Sequence, residues 1–131
     1  MSRRLFSVRE LPTIAPRGDS LIEITEKRDG AVIVLQPSGR IDNDTSIAFQ
    51  DRLLQVIGHG TTLVDFTGVE FISSAGLAAL MTAAKQAKAA KVGLACAALN
   101  SVVQEIFAIS RFSRVVPVYA TAAEGVAALK G

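Results

Sequence analysis

Two adjacent serines, Ser73 and Ser74, precede a glycine in the run Phe71-Ile72-Ser73-Ser74-Ala75-Gly76-Leu77. The spacing of Leu77, Leu80, Met81 and Ala84 predicts a helix beyond them, so both hydroxyls belong at a helix N-terminus. For an arbitrary serine in that place the default role is a cap, its oxygen accepting from a backbone N–H about one turn on. Only one serine can cap, and neither has Glu or Gln three residues later, so one hydroxyl is left over. A phosphate on Ser74 would carry about −1.5 to −2 charges and would meet free N–H groups at the positive end of the helix dipole. The chemistry on offer is therefore a reversible charge switch, with Ser74 as the phosphoacceptor and Ser73 as the second candidate.

Gly76 in the first turn costs a helix roughly 1 kcal/mol relative to Ala, and its missing side chain lets another backbone come close. That suits a docking surface made of Ser73, Ala75, Gly76 and Leu77, flanked by Asp42 and Asp44. A dianion there would repel an acidic partner and block flush contact, so modification would switch binding without unfolding the chain.

The remaining reactive side chains offer less. The one histidine, His59, sits between glycines at a helix end, where a turn role is expected. It belongs at the amino edge of the following strand while Ser74 follows the carboxyl edge, a separation of roughly 17 Å at about 3.3 Å per residue. That separation argues against a serine hydrolase pairing, and no enzyme activity is expected. Cys96 is the one cysteine, ends an apolar strand and has no cation beside it, so it reads as a core thiol. Asp42 and Asp44 flank a helix start, where caps and partner recognition are expected before a magnesium site. Lys85, Lys88 and Lys91 read as a solvated helix face. With no ligand cluster and no GxGxxG or GxxxxGK[ST] pattern, neither metal nor nucleotide cofactor is expected.

The elements that must position these groups follow from composition and period. At 131 residues, half hydrophobic and a fifth charged, the chain fits one globular domain. No apolar run approaches the roughly 18 residues of a membrane span, and no apolar stretch follows the paired N-terminal arginines, so a cytoplasmic protein is expected. The net charge of +2 lies in residues 1–20, where Arg3, Arg4, Arg9 and Arg17 face Glu10 and Asp19; the other ten basic and ten acidic residues cancel. A neutral body with few aromatics argues against nucleic-acid binding.

Residues 1–20, with Pro12, Pro16 and Gly18, read as an extended or loosely packed arm in which Leu5, Phe6 and Val8 could form a short docked strand. From Leu21 a hairpin turns at Lys27-Arg28-Asp29-Gly30 and returns through Ala31 to Leu35. A helix from about Thr45 to Ile57 starts at Asp42-Asn43-Asp44 and stops at Gly58-His59-Gly60. Thr62 to Phe66 is a strand, and a loop from Thr67 leads to the serine-initiated helix. Val92 to Cys96 is a strand, Ser101-Val102-Val103-Gln104 is a capping box opening a third helix, and Val115 to Tyr119 is an edge strand marked by Pro117. Thr121 caps a last helix. The expected fold is α/β, a mixed, mostly parallel sheet of about five strands with about four helices.

With these landmarks placed, the chain resembles the anti-sigma factor antagonists built on the STAS domain. Ser38-Gly39-Arg40-Ile41-Asp42, Val64-Asp65-Phe66, the run Phe71 to Leu77, Asn100 to Phe107, Phe112 and Val115-Val116 carry the resemblance, which covers Leu21 to Leu129 and makes 21–131 the domain. In that family the serine two residues before the glycine is phosphorylated by an anti-sigma factor that is itself a serine kinase, and a serine phosphatase reverses it. The resemblance assigns that position to Ser74 and gives Asp42 a part in kinase recognition. It implies partner switching, in which the unphosphorylated protein binds the anti-sigma factor and frees a sigma factor. Ser73 stands where many members have Asp. STAS domains also serve, without obligatory phosphorylation, as scaffold subunits of stress-signalling assemblies and lipid-transport ATPases.

Overall fold

A computed structural model of the chain describes residues 13–14 and 22–130. The elements run β1 (Thr13–Ile14), β2 (Ile22–Asp29), β3 (Val32–Ile41), α1 (Ser46–Ile57), β4 (Thr62–Asp65), β5 (Gly68–Ile72), α2 (Ser74–Ala90), β6 (Leu94–Ala97), α3 (Ser101–Ser110), β7 (Val118–Tyr119) and α4 (Ala122–Lys130). Apart from β1, the N-terminal arm expected over residues 1–20 lies outside the described residues.

The hairpin forms as the alternation of its residues requires, with Gly30 at φ 64° in the turn. The strands are ordered β1-β2-β3-β4-β6-β7, and β5 pairs with β3. Pairs β1–β2 and β2–β3 are antiparallel and every other pair is parallel, so the mixed, mostly parallel α/β sheet is as expected. Its four helices match the expectation, while β1 and β5 raise the strands to seven.

The stretch from Thr67 to Ser74, expected as a loop, contains β5. The ten-residue β3 spans two partners in series: Ile33 to Leu35 pair with β4, and Ser38 to Ile41 pair with β5. A two-residue bend at Phe66-Thr67 lets the chain leave one half of β3 and rejoin at the other. No helix intervenes, which is why the helix-strand alternation of the sequence concealed β5. The bend is held by Asp65, whose Oδ1 accepts from the Thr67 N–H at 3.0 Å and the Thr67 hydroxyl at 2.6 Å.

Alternation along β3 divides the interior. Ile33 and Leu35 face Phe49, Leu53, Leu80 and Ala83 from α1 and α2. Val32 and Val34 join Leu63, Ala95, Ala97 and Val126 beneath α4. Phe66, Phe107 and Phe112 meet edge to face at centroid distances of 5.8 and 5.2 Å and bring α3 onto the first of these layers.

Two helix starts differ from expectation. Asn100, not Ser101, caps α3, its Oδ1 accepting from the Val103 N–H at 2.8 Å. Gln104 donates to the Leu99 carbonyl instead of completing a box. Thr45 occupies the cap of α1 without making a side-chain cap bond, its hydroxyl donating to the Arg40 carbonyl at 2.8 Å. Thr121 does cap α4, accepting from the Glu124 N–H at 3.1 Å, and β7 is an edge strand of two residues preceded by Pro117.

One charged contact crosses the interior. Arg52 of α1 reaches Glu26 of β2 with Nη2–Oε1 at 3.1 Å, both side chains only 7 % exposed. Removing one partner of a pair this buried costs about 3 kcal/mol or more, because the other charge stays out of water. Glu26→Ala should therefore lower unfolding free energy by about that amount in urea titrations, and a loss under about 1 kcal/mol would show that the pair contributes little to stability.

Candidate functional site

β3 and β5 end side by side, with Ile41 opposite Ile72 in register. The Ser73 N–H continues the pairing by donating to the Ile41 carbonyl at 2.8 Å. Asp42 leaves β3 and Ser73 leaves β5 at the same carboxyl edge, and α1 and α2 both start there. This is the edge at which open α/β sheets gather ligands and reactive groups.

The two serines take different roles. Ser73 is extended, at φ −90° and ψ 176°, and its Oγ accepts from the Gly76 N–H at 3.3 Å. Its carbonyl accepts from Leu77 N–H at 2.9 Å, the first bond of the helix ladder. Ser73 is the cap. Ser74 is the first helical residue and is exposed, and its hydroxyl has no hydrogen-bond partner among the described residues. The Ser74 and Ala75 amides lie ahead of the ladder and have no intrahelical acceptor.

Gly76 is buried, which corrects its place in an expected docking surface. A Cβ there would lie 2.6 Å from Ile72 Cγ1 and 2.7 Å from Ile41 Cγ2. The close approach it permits is that of α2 to its own two strands. Ala75 and Leu77 are half-buried, and Leu77 packs against the main core. Of the run from Ser73 to Leu77, only Ser74 is exposed.

Asp42 Oδ1 accepts from the N–H groups of Asp44 and Thr45 at 3.0 and 3.2 Å, so this carboxylate organises the turn ahead of α1 without being its cap residue. Asp44 is exposed beside it. Ile47, in the first turn of α1, is 69 % exposed. It was passed over because the helix period selects Phe49, Leu53 and Val56; its position off that face was the available signal.

Asn100 was likewise seen only as part of a landmark. Its Nδ2 donates to the Val69 and Glu70 carbonyls at 3.1 and 3.2 Å, tying α3 to β5. Arg40 lies over the Phe71 ring at 4.5 Å and covers the outer side of the same strand pair.

The other candidates stay apart from this edge. His59 is exposed at the end of α1, ahead of β4. Cys96 is fully buried, and burial pushes its thiol pKa up, so the reactive thiolate is suppressed. Lys85, Lys88 and Lys91 are exposed along and just beyond α2.

A family model described as Mlab, STAS domain matches residues 24–117. The chain belongs to the STAS-domain family. Solved structures share the fold. An anti-sigma factor antagonist from Mycobacterium paratuberculosis is 22 % identical, with a TM-score of 0.79 over 88 % of this chain and 98 % of the other. A putative anti-sigma factor antagonist from Thermotoga maritima is 18 % identical, with a TM-score of 0.77 over 82 % and 95 %. The Bacillus cell fate determinant SpoIIAA in its phosphorylated form is 14 % identical, with a TM-score of 0.61 over 79 % and 96 %. A search of curated proteins finds no match. Among the described residues of this STAS domain, no helix is long and apolar enough to cross a membrane.

The bend that delivers β5 to the site depends on ionised Asp65. Burial by itself would raise its pKa, but hydrogen bonds from Thr67 and Gln36 and the charge of Lys27 outweigh burial and hold it below the ordinary carboxylate value. A depressed pKa stabilises the fold above the unfolded value of about 4, and that contribution is lost as pH falls through the folded value. Asp65→Asn should destabilise the domain at neutral pH, with the gap to the parent narrowing below about pH 4 in acid-titrated denaturation curves; a gap independent of pH would contradict it.

Capping and close approach give a second expectation, read in urea titrations. Ser73→Ala should cost about 1 kcal/mol and Ser74→Ala less than about 0.5 kcal/mol. Gly76→Ala should cost about 1–3 kcal/mol by overpacking, despite the better helix propensity of Ala.

Proposed function

We propose that this STAS domain is a cytoplasmic anti-sigma factor antagonist whose partner binding is switched off by phosphorylation of Ser74. The observation that carries the reading is the division of labour at α2: Ser73 fills the cap, which leaves the Ser74 hydroxyl exposed and without a partner among the described residues. The Ser74 and Ala75 amides at the positive end of a 17-residue helix would stabilise the phosphate. The fold bears the added charge, and the partner meets it. A dianion at this edge, with Asp44 exposed nearby, repels an acidic docking face and separates surfaces that would otherwise touch at Ser74, Ala75 and Leu77.

In this reading the partner is an anti-sigma factor serine kinase that binds the unmodified form and releases its sigma factor, and a serine phosphatase restores the antagonist. Bacillus SpoIIAA, which shares the fold, is known in phosphorylated form, and that supports control by phosphorylation here. The domain itself carries out no reaction. A second reading, a scaffold subunit of a stress-signalling or lipid-transport ATPase complex, is favoured by the identity of Ser73, which stands where many members of the resembled family have Asp.

Incubation with a cognate anti-sigma factor kinase and ATP, followed by peptide mass spectrometry, should place phosphate on Ser74, with none on Ser74→Ala. Label at Ser73 alone would refute the assignment. Ser74→Asp should weaken kinase binding by about tenfold or more while leaving unfolding free energy within about 0.5 kcal/mol. Equal binding by Ser74→Asp and parent would favour the scaffold.

A further inference from the structure

Charge in this domain is unevenly placed. Residues 22–70 hold eight acidic and four basic side chains, whereas residues 71–130 hold two acidic and six basic, so the halves carry formal charges of −4 and +4. The first half contributes Asp42 and Asp44 to the edge where Ser74 lies. The second half concentrates its charge elsewhere. From Phe71 to Gln104 there is no acidic residue, and Lys85, Lys88 and Lys91 are all exposed.

A groove of about 570 Å3 lies between the C-terminal part of α2 and the chain that follows α3. Lys85, Lys88 and Arg114 line it, no acidic residue does, and none of the three has an ion-pair partner among the described residues. The apolar lining includes Met81, Val92 and Val115, and Val115 is 45 % exposed. Three unneutralised cations around an apolar trough are the complement of an amphipathic helical segment with carboxylates flanking an aliphatic face.

We propose that this groove docks an acidic, amphipathic segment of a protein partner, at a site separate from the phosphoacceptor. Lys85 and Lys88 lie 11 and 14 residues along α2 from Ser74, which at about 1.5 Å per residue is roughly 16–21 Å. At ordinary ionic strength that distance exceeds the screening length of about 8 Å, so a phosphate on Ser74 leaves the groove's affinity unchanged. The partner can then remain held through the groove while contact at the Ser74 edge is made and broken. A concave trough with three cations suits side chains entering from a peptide; a membrane surface calls for a larger basic cluster with apolar groups that protrude. The apolar and cationic lining has no aromatic residue on which nucleic-acid bases could stack.

The test uses a fluorescein-labelled helical peptide with Leu at i, i+3, i+4 and i+7 and Glu at the flanking positions, and reads anisotropy against the full chain. Saturable binding is expected, weakened about tenfold or more by Lys85→Glu combined with Lys88→Glu, weakened by added salt, and unchanged in Ser74→Asp. Amide chemical shifts should move at Met81, Val92 and Val115, and circular dichroism should show the charge-reversed variant folded. The same peptide with Lys in place of Glu should not bind. The proposal is overturned if the acidic peptide fails to saturate at millimolar concentration, if the double variant binds it equally well, or if the protein instead sediments with phosphatidylglycerol vesicles through the same lysines. Loss of binding in Ser74→Asp would overturn the separation of the two sites.

Discussion

The hydrogen bond from Ser73 N–H to the Ile41 carbonyl is where strand, helix and site become one object. It continues the pairing of β3 with β5 by one residue beyond the sheet, so that the first turn of α2 lies directly on the two strand ends. Burying that turn leaves no room for a side chain at Gly76, whose absent Cβ would meet Ile41 and Ile72. With the helix so placed, only Ser74 of its first four residues is exposed. The exposure of Ser74 is therefore a consequence of how tightly the following residues are held.

The same bond requires β5 to exist and to arrive in register. β3 is ten residues long, and its first half is occupied by β4. The chain reaches the second half only through the bend at Phe66-Thr67, held by a carboxylate that its neighbours keep ionised. Farther out, α1 is fastened to β2 by the Arg52–Glu26 pair, and its start is organised by the Asp42 turn. A local arrangement of two serines is thus underwritten by contacts from four separate segments of the chain.

Much of this was legible in the residues. Apolar period placed α1 within a residue or two, and the two-serine run identified the start of α2 and the surplus hydroxyl. The residues alone did not show which serine capped, because both have the right chemistry and only the strand register decides which one is extended. β5 was missed because it pairs with a strand distant in sequence and has no helix separating it from β4. Gly76 was read as an opening for a partner because sequence reports that a side chain is missing, not what fills the space. The cap of α3 was misplaced by one residue because Asn100 and Ser101 are both good caps, and the choice was made by β5, whose carbonyls Asn100 also serves.

That last contact has a bearing on how the molecule behaves in a crowd of its own copies. Glu70 has no partner in the β3 register, so β5 carries one residue more than the stretch Ser38 to Ile41 with which it pairs. Among the described residues β5 has no second neighbouring strand, and an uncovered row of carbonyls would be a template for another chain. The single side-chain amide of Asn100 occupies two consecutive carbonyls of that row. The strand that leads to Ser74 thus has two of its carbonyls already occupied by a side chain, which leaves fewer of them for another chain to pair with.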